Sequence, residues 1–303
     1  MTASRSTPAP VVLATDGTSA SDGALRYAVE QARTRGAELR ILHVMPMAMP
    51  VPPLRPVEPT DLEPYARNVL SRSAKHARDL APGLAVSTMI AHGSRVRGIV
   101  NGSADAQLVV VGRETSHGLG RLLTGATTAG VASNARCPVV VVPGDWRPRS
   151  NAEGGGTVVV GIRRPDDASH LMHAAYAQAT SLGATITVVH AWELPDPYID
   201  SIEAKSHNDD WRDLGEQLLG EALGTWRDQY PHVSIETRVV HGHAASVLVS
   251  EAKAADLVVV RRAHEHRPFD HLGATVRALL LASPAPVEVV PAHAPTPAGS
   301  VAP

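Results

Sequence analysis

Two glycine-punctuated segments carry the residues best suited to chemistry. The first, Val11-Val-Leu-Ala14-Thr-Asp16-Gly17-Thr18-Ser19, puts a carboxylate at the end of an apolar, β-branched run. The second starts with the run Leu108-Val-Val-Val111 and continues Gly112-Arg113-Glu-Thr115. It then passes Gly118, Gly120 and Gly125-Ala126-Thr127-Thr128 into a helical stretch. A glycine loop entering a helix suits phosphates, because the backbone approaches closely and the helix N-terminus offers free N–H groups and a favourable dipole. Thr127 and Thr128 would cap that helix or give hydroxyls to a phosphate. Asp16, with the strand ends Ala14 and Val44, would hold a base or ribose, and Arg113 would approach phosphates. Ordinary turn chemistry is the alternative reading of such a loop.

The remaining reactive residues point to no enzyme. Of 15 histidines, eleven follow residue 150. His241-x-His243 and His264-x-His266 have the spacing of metal ligands or of a cluster titrating near pH ~6.5, but no carboxylate or cysteine at fixed spacing completes a metal set. His43 and His190 end matching apolar runs and read as structural, at the rim of the crevice, while His117 reads as solvated. The single cysteine, Cys137, excludes an internal disulfide, and ahead of Pro138 it reads as a small core residue. Neither G-x-S-x-G, H-E-x-x-H nor G-x4-G-K-[ST] occurs, so no catalytic residue is assigned. The stretch Met45-Pro-Met-Ala-Met-Pro-Val-Pro-Pro53 reads as a proline-stiffened connection, with a lid over the crevice as the alternative.

The elements that must position these residues follow from periodicity. Strands are expected near 11–15, 39–44, 84–90, 107–111 and 138–142, and helices near 20–35, 60–80, 95–104 and 127–135. Val109 to Val111 and Val139 to Val142 do not alternate with polar residues, which suits strands covered on both faces. Ala24, Tyr27, Ala28, Gln31 and Ala32 have the spacing of a helix packed on that sheet. Strands alternating with helices make an α/β, doubly wound, Rossmann-like parallel sheet, with ligands outside the carboxyl ends of the strands where the winding reverses.

The pattern occurs twice. Gly36 and His43 match Gly183 and His190 at an offset of 147, Leu108-Val-Val-Val111 matches Leu257-Val-Val-Val260 at 149, and Pro138 to Pro143 matches Pro286 to Pro291 at 148. Two domains related by duplication are expected, at 1–145 and 156–292, joined by a glycine- and proline-rich linker. The valine runs 139–142 and 287–290 would be sheet edges, and an exposed valine edge invites pairing. Their simplest cover is each other, giving an intramolecular pseudo-dimer, with a further homodimer of the chain left open.

Composition bounds the partners. The formal charge is −2 and the pI about 6.7, without the basic excess of a general nucleic-acid binder. No apolar run is long enough for a membrane helix, and the N-terminus lacks the apolar core of a signal peptide, so a cytoplasmic location is expected.

Val12-Leu-Ala-Thr-Asp16-Gly17-Thr18, His92-Gly93-Ser94, the passage Ala104 to Gly112 and Cys137-Pro138-Val-Val-Val-Val resemble the motifs of the universal stress proteins in their tandem form. The resemblance covers nearly the whole chain twice. It implies an α/β fold, ATP binding in many members and domain pairing through the last strands, and it does not imply an enzyme. The family's ATP loop, G-x2-G-x9-G-S/T, is matched at Gly112 and Gly125. Thr115 stands at its second glycine and Ala126 at its hydroxyl residue. The second copy departs further: Arg163 replaces the aspartate, Arg261 the first loop glycine, and His264 stands where Thr115 does, with Gly273-Ala274-Thr275 retained. We read this copy as a decayed site; an anion pocket using Arg163 and Arg261 is the alternative.

The expectation is therefore a stress-response regulatory or signalling module that binds ATP in its first domain and engages regulatory protein partners. A nucleotide-free scaffold is the alternative from another class. A slow ATPase is weaker, since no base, metal ligand set or transition-state arginine is identifiable.

Overall fold

The computed structural model describes residues 8–45, 59–114, 121–148, 155–262 and 272–291. It divides into two units, one built on residues 1–148 and the other on 149–292. The first unit runs β1 (Val11–Ala14), a 3-10 turn (Ser19–Ser21), α1 (Asp22–Thr34), β2 (Leu39–Met45), α2 (Pro59–Leu80) and β3 (Val86–His92). It continues through α3 (Arg95–Gly102), β4 (Leu108–Arg113), α4 (Arg121–Asn134) and β5 (Val139–Pro143). Its strands are parallel and lie in the order β3-β2-β1-β4-β5.

That order follows from what each run must bury. Val11, Val12, Leu13 and Leu108 to Val110 are fully buried, as continuous apolar strands covered on both faces require. α1 packs beside α2, and α3 beside α4. α1 buries Ala24, Tyr27, Ala28, Gln31 and Ala32, the stripe its spacing predicts. The outer strand β3 is only half-buried to exposed along its length.

The second unit repeats the plan. It runs β6 (Thr157–Gly161), a 3-10 turn (Pro165–Asp167), α5 (Ala168–Leu182), β7 (Thr185–Trp192), α6 (Pro197–Ser206) and α7 (Asn208–Gln229). Then come β8 (Ile235–His241), α8 (Ala244–Glu251), β9 (Leu257–Arg261), α9 (Gly273–Ala282) and β10 (Val287–Val290). The strand order is β8-β7-β6-β9-β10, also parallel. Even the register repeats: Val11 lies opposite Leu39 and Val158 opposite Ile186, while Val12 lies opposite Val109 and Val159 opposite Val258. Each unit is the expected α/β, doubly wound parallel sheet.

One boundary differs in a way that matters for the site. The helix expected at 127–135 begins at Arg121. Leu122, Leu123, Ala126 and Ala129 favour a helix, and Gly125 costs only about 1 kcal/mol relative to alanine, too little to delay it. Among the described residues no helix is long and apolar enough to cross a membrane.

Candidate functional site

The winding of the first sheet reverses between β1 and β4, so the loop after β1 and the end of β4 meet there. Asp16 heads that loop. Its Oδ1 accepts from Thr18 N at 3.0 Å, Thr18 Oγ1 at 2.7 Å and Ser21 Oγ at 3.1 Å, closing an Asx turn against the 3-10 turn. Partial burial pushes the carboxyl up, but the bonds from Thr18 and Ser21 outweigh it and hold Asp16 below the usual carboxylate range. Oδ2 has no hydrogen-bond partner among the described residues and is left available at the strand end. Gly17 makes the turn possible: its φ is +80°, and a Cβ there would lie 2.7 Å from Val69 of α2.

Gly112 closes the crevice from the β4 side. A Cβ on it would stand 2.3 Å from the Ala20 carbonyl oxygen, so only glycine lets the 3-10 turn rest on this strand end. Arg113 is half-buried in β4, its carbonyl accepting from Gly144 N at 2.8 Å. Ala14 and Val44 are half-buried at the ends of β1 and β2, and Val44 meets the backbone of α3 at Gly98. His43 is buried at the rim, and its Nδ1–H donates to the Thr15 carbonyl at 2.8 Å; His190 makes the matching bond to Ile162 at 3.0 Å. Both histidines hold the turn after the first strand of their unit.

The phosphate end needs a correction. Gly125, Ala126, Thr127 and Thr128 were expected in a loop with the threonines capping the next helix, yet all four lie inside α4. Their amides belong to the helical ladder, and the amides free for an anion are those of the first turn, from Arg121. Ala126 is exposed, Thr127 half-buried and Thr128 buried at 4% exposure, so Thr128 is a packing residue. Thr115, His117, His264 and His266 lie outside the described residues.

Sequence reasoning missed Thr18 and Ser21 as the clamps on Asp16. The signal was present, since an Asp followed by Thr two residues on is an Asx-turn pattern. It also missed a cleft of about 130 Å3 behind the turn, whose lining includes Thr15, Ser21, Arg72, Ser73 and His76. No local pattern links α2 to that loop.

In the second unit different side chains stand at the corresponding positions. Arg163 and Arg164 replace Asp16 and Gly17, and the Asx turn is gone. Arg261 replaces Gly112, and its Nη1 pairs with Asp167 of the 3-10 turn, both side chains being mostly buried at 14% and 17% exposure. Arg163 points out exposed. An internal carboxylate therefore pairs with the Arg261 guanidinium, which favours the decayed reading over an anion pocket built on it.

His241 of the H-x-H pair bonds Asp200, Nε2 lying 3.0 Å from both carboxylate oxygens. Among the described residues no three metal-ligating groups converge. Cys137 is buried, which pushes its thiol up to about 11.

The two units share one α/β frame and differ in the residues at their strand ends. The universal stress protein family model matches residues 9–143 and again 156–291. A universal stress protein of Mycolicibacterium smegmatis is 30% identical over 259 residues, spanning 82% of this chain and 85% of its own. Universal stress protein Rv1996 of Mycobacterium tuberculosis is 27% identical over 301 residues, spanning 92% and 94%. The crystal structure of a universal stress protein from Archaeoglobus fulgidus shares the fold, with a TM-score of 0.67 at 16% identity over 94% of this chain and 97% of that one. The chain belongs to the universal stress protein family and carries its domain twice.

Proposed function

We propose that the first domain binds an adenine nucleotide, ATP, in the crevice between the β1 loop and the end of β4. Binding there biases conformation or partner contacts in a cytoplasmic stress response. The observation that carries this reading is the Asp16 carboxylate: three donors fix one oxygen and leave the other available at the switch point of the sheet. Ala14 and Val44 would border the nucleoside, Gly112 and the first turn of α4 would face the phosphates, and Arg113 and Thr115 would approach them. On this reading the protein is a binding module rather than an enzyme, and the turnover control below tests that.

Gentle denaturation of freshly purified protein, with released nucleotide identified by chromatography, tests the reading. Retained ATP with no phosphate release above a buffer control supports it. Turnover above that control would make the protein a slow ATPase. Neither retained nor added nucleotide bound would make it a nucleotide-free scaffold.

A further inference from the structure

The helical pair between β7 and β8 is mounted with its apolar side outward. α6 is fixed by its polar residues: Asp196 caps it by accepting from Tyr198 N and Ile199 N, each at 2.9 Å, and Asp200 accepts from Leu194 N and His241. Glu203 accepts from the Trp211 indole N–H at 2.9 Å, tying α6 to α7. The other side of α6 presents Tyr198, Ile199 and Ile202, exposed by 76%, 51% and 42%, and the helix buries no residue. Their i, i+3 and i, i+4 spacings make one stripe. Leu214 and Leu218 of α7, also i, i+4, are exposed by 49% and 44%. Half of the exposed large hydrophobic side chains among the described residues thus lie between Tyr198 and Leu218, a concentration that scattered surface residues would not give.

The charge around this face is one-sided. From Glu193 to Glu216 the chain has eight carboxylates against Lys205 and Arg212, a formal −6, although the whole chain carries only −2. Six of the acids, Glu193, Asp196, Asp209, Asp210, Asp213 and Glu216, are exposed. Arg212 is already shared between Asp209 at 3.0 Å and Asp213 at 3.7 Å. Such a face repels nucleic acid, anionic lipid and a second copy of itself.

We propose that the α6–α7 face of the second domain docks a basic amphipathic segment of a partner protein. The partner's apolar residues would cover Tyr198, Ile199, Ile202, Leu214 and Leu218, and its lysines or arginines would meet the acidic rim. Helix-in-groove and helix-on-face recognition uses this combination of apolar anchors and a charged border. The second domain then reads out to partners, while the first holds the ligand; the docking does not depend on nucleotide binding.

The probe is a fluorescein-labelled peptide of about 18 residues, enough for roughly five helical turns, with leucines on one face and lysines on the other. A scrambled peptide of the same composition serves as control, and anisotropy is read with the full chain at low and high salt. The amphipathic peptide is expected to bind at least about tenfold more tightly than the scrambled one, and more weakly as salt rises. The variant Ile199→Ser/Ile202→Ser/Leu218→Ser should lose at least about tenfold in affinity with an unchanged melting curve, because these side chains are exposed. Asp209→Asn/Asp210→Asn/Asp213→Asn should lose a similar factor at low salt and little at high salt. Equal binding of both peptides, or a serine variant that binds like wild type, overturns the proposal. So does sedimentation that shows the wild type self-associating and the serine variant monomeric, since the face would then serve a second copy.

Discussion

Asp16 and Gly112 divide the work of the crevice between charge and shape. Asp16 is held below the usual carboxylate range in the folded protein, so its clamp contributes stability above the unfolded value near pH ~3.9 and loses it as pH falls through the folded one. The stability difference between wild type and Asp16→Asn should therefore be constant from about pH 5 to 8 and close as pH falls through the lowered folded value in urea titrations. Gly112→Ala would force a Cβ into the Ala20 carbonyl; unfolding curves should show a loss of about 1–3 kcal/mol, with nucleotide affinity falling as the 3-10 turn moves. At Cys137 the raised thiol pKa predicts almost no reaction with a disulfide reagent near pH 8 until denaturant is added. Fast labelling of the native chain would contradict the buried, inert reading.

Elements were legible where burial repeats a period. Val109 to Val111 and the α1 stripe announced themselves, because covered parallel strands and amphipathic helices leave patterns within a short window. The start of α4 did not, since Gly125 resembles a loop glycine until the helix formers before it are weighed. That misplacement moved Thr127 and Thr128 from candidate phosphate contacts to helix residues. The outward face of α6 was equally invisible: its stripe looks like any core helix until tertiary contacts show which side is anchored. A third hidden feature is Glu288 in β10, 1% exposed, which accepts from Gln178 Nε2 of α5 at 2.9 Å. A valine-rich strand conceals its one carboxylate, whose cost is offset only in three dimensions. Gln178→Ala removes a donor from this buried group and should cost about 1–3 kcal/mol by chemical denaturation. A neutral result would mean that its other contacts suffice.

Over the whole chain, duplication preserved the frame but not the residues at the strand ends. Register, strand order and the rim histidines His43 and His190 recur in both copies. The crevice residues do not, because Arg261 and Asp167 neutralise each other where the first domain keeps Gly112 and Ala20. Repeat spacing made the frame readable from sequence; the ion pair was not, since its partners are far apart in the chain and no spacing joins them. If the first domain alone takes ligand, as proposed, the molecule should bind a single nucleotide. Calorimetric titration of the full chain with ATP, on wild type and on Asp16→Asn, tests this most directly. The asparagine keeps an oxygen for Thr18 and Ser21 and changes only the ligand-facing atom. One ATP per wild-type chain, with affinity at least about tenfold lower in Asp16→Asn, is the result expected. Two per chain, none, or equal affinity in the two proteins would contradict it.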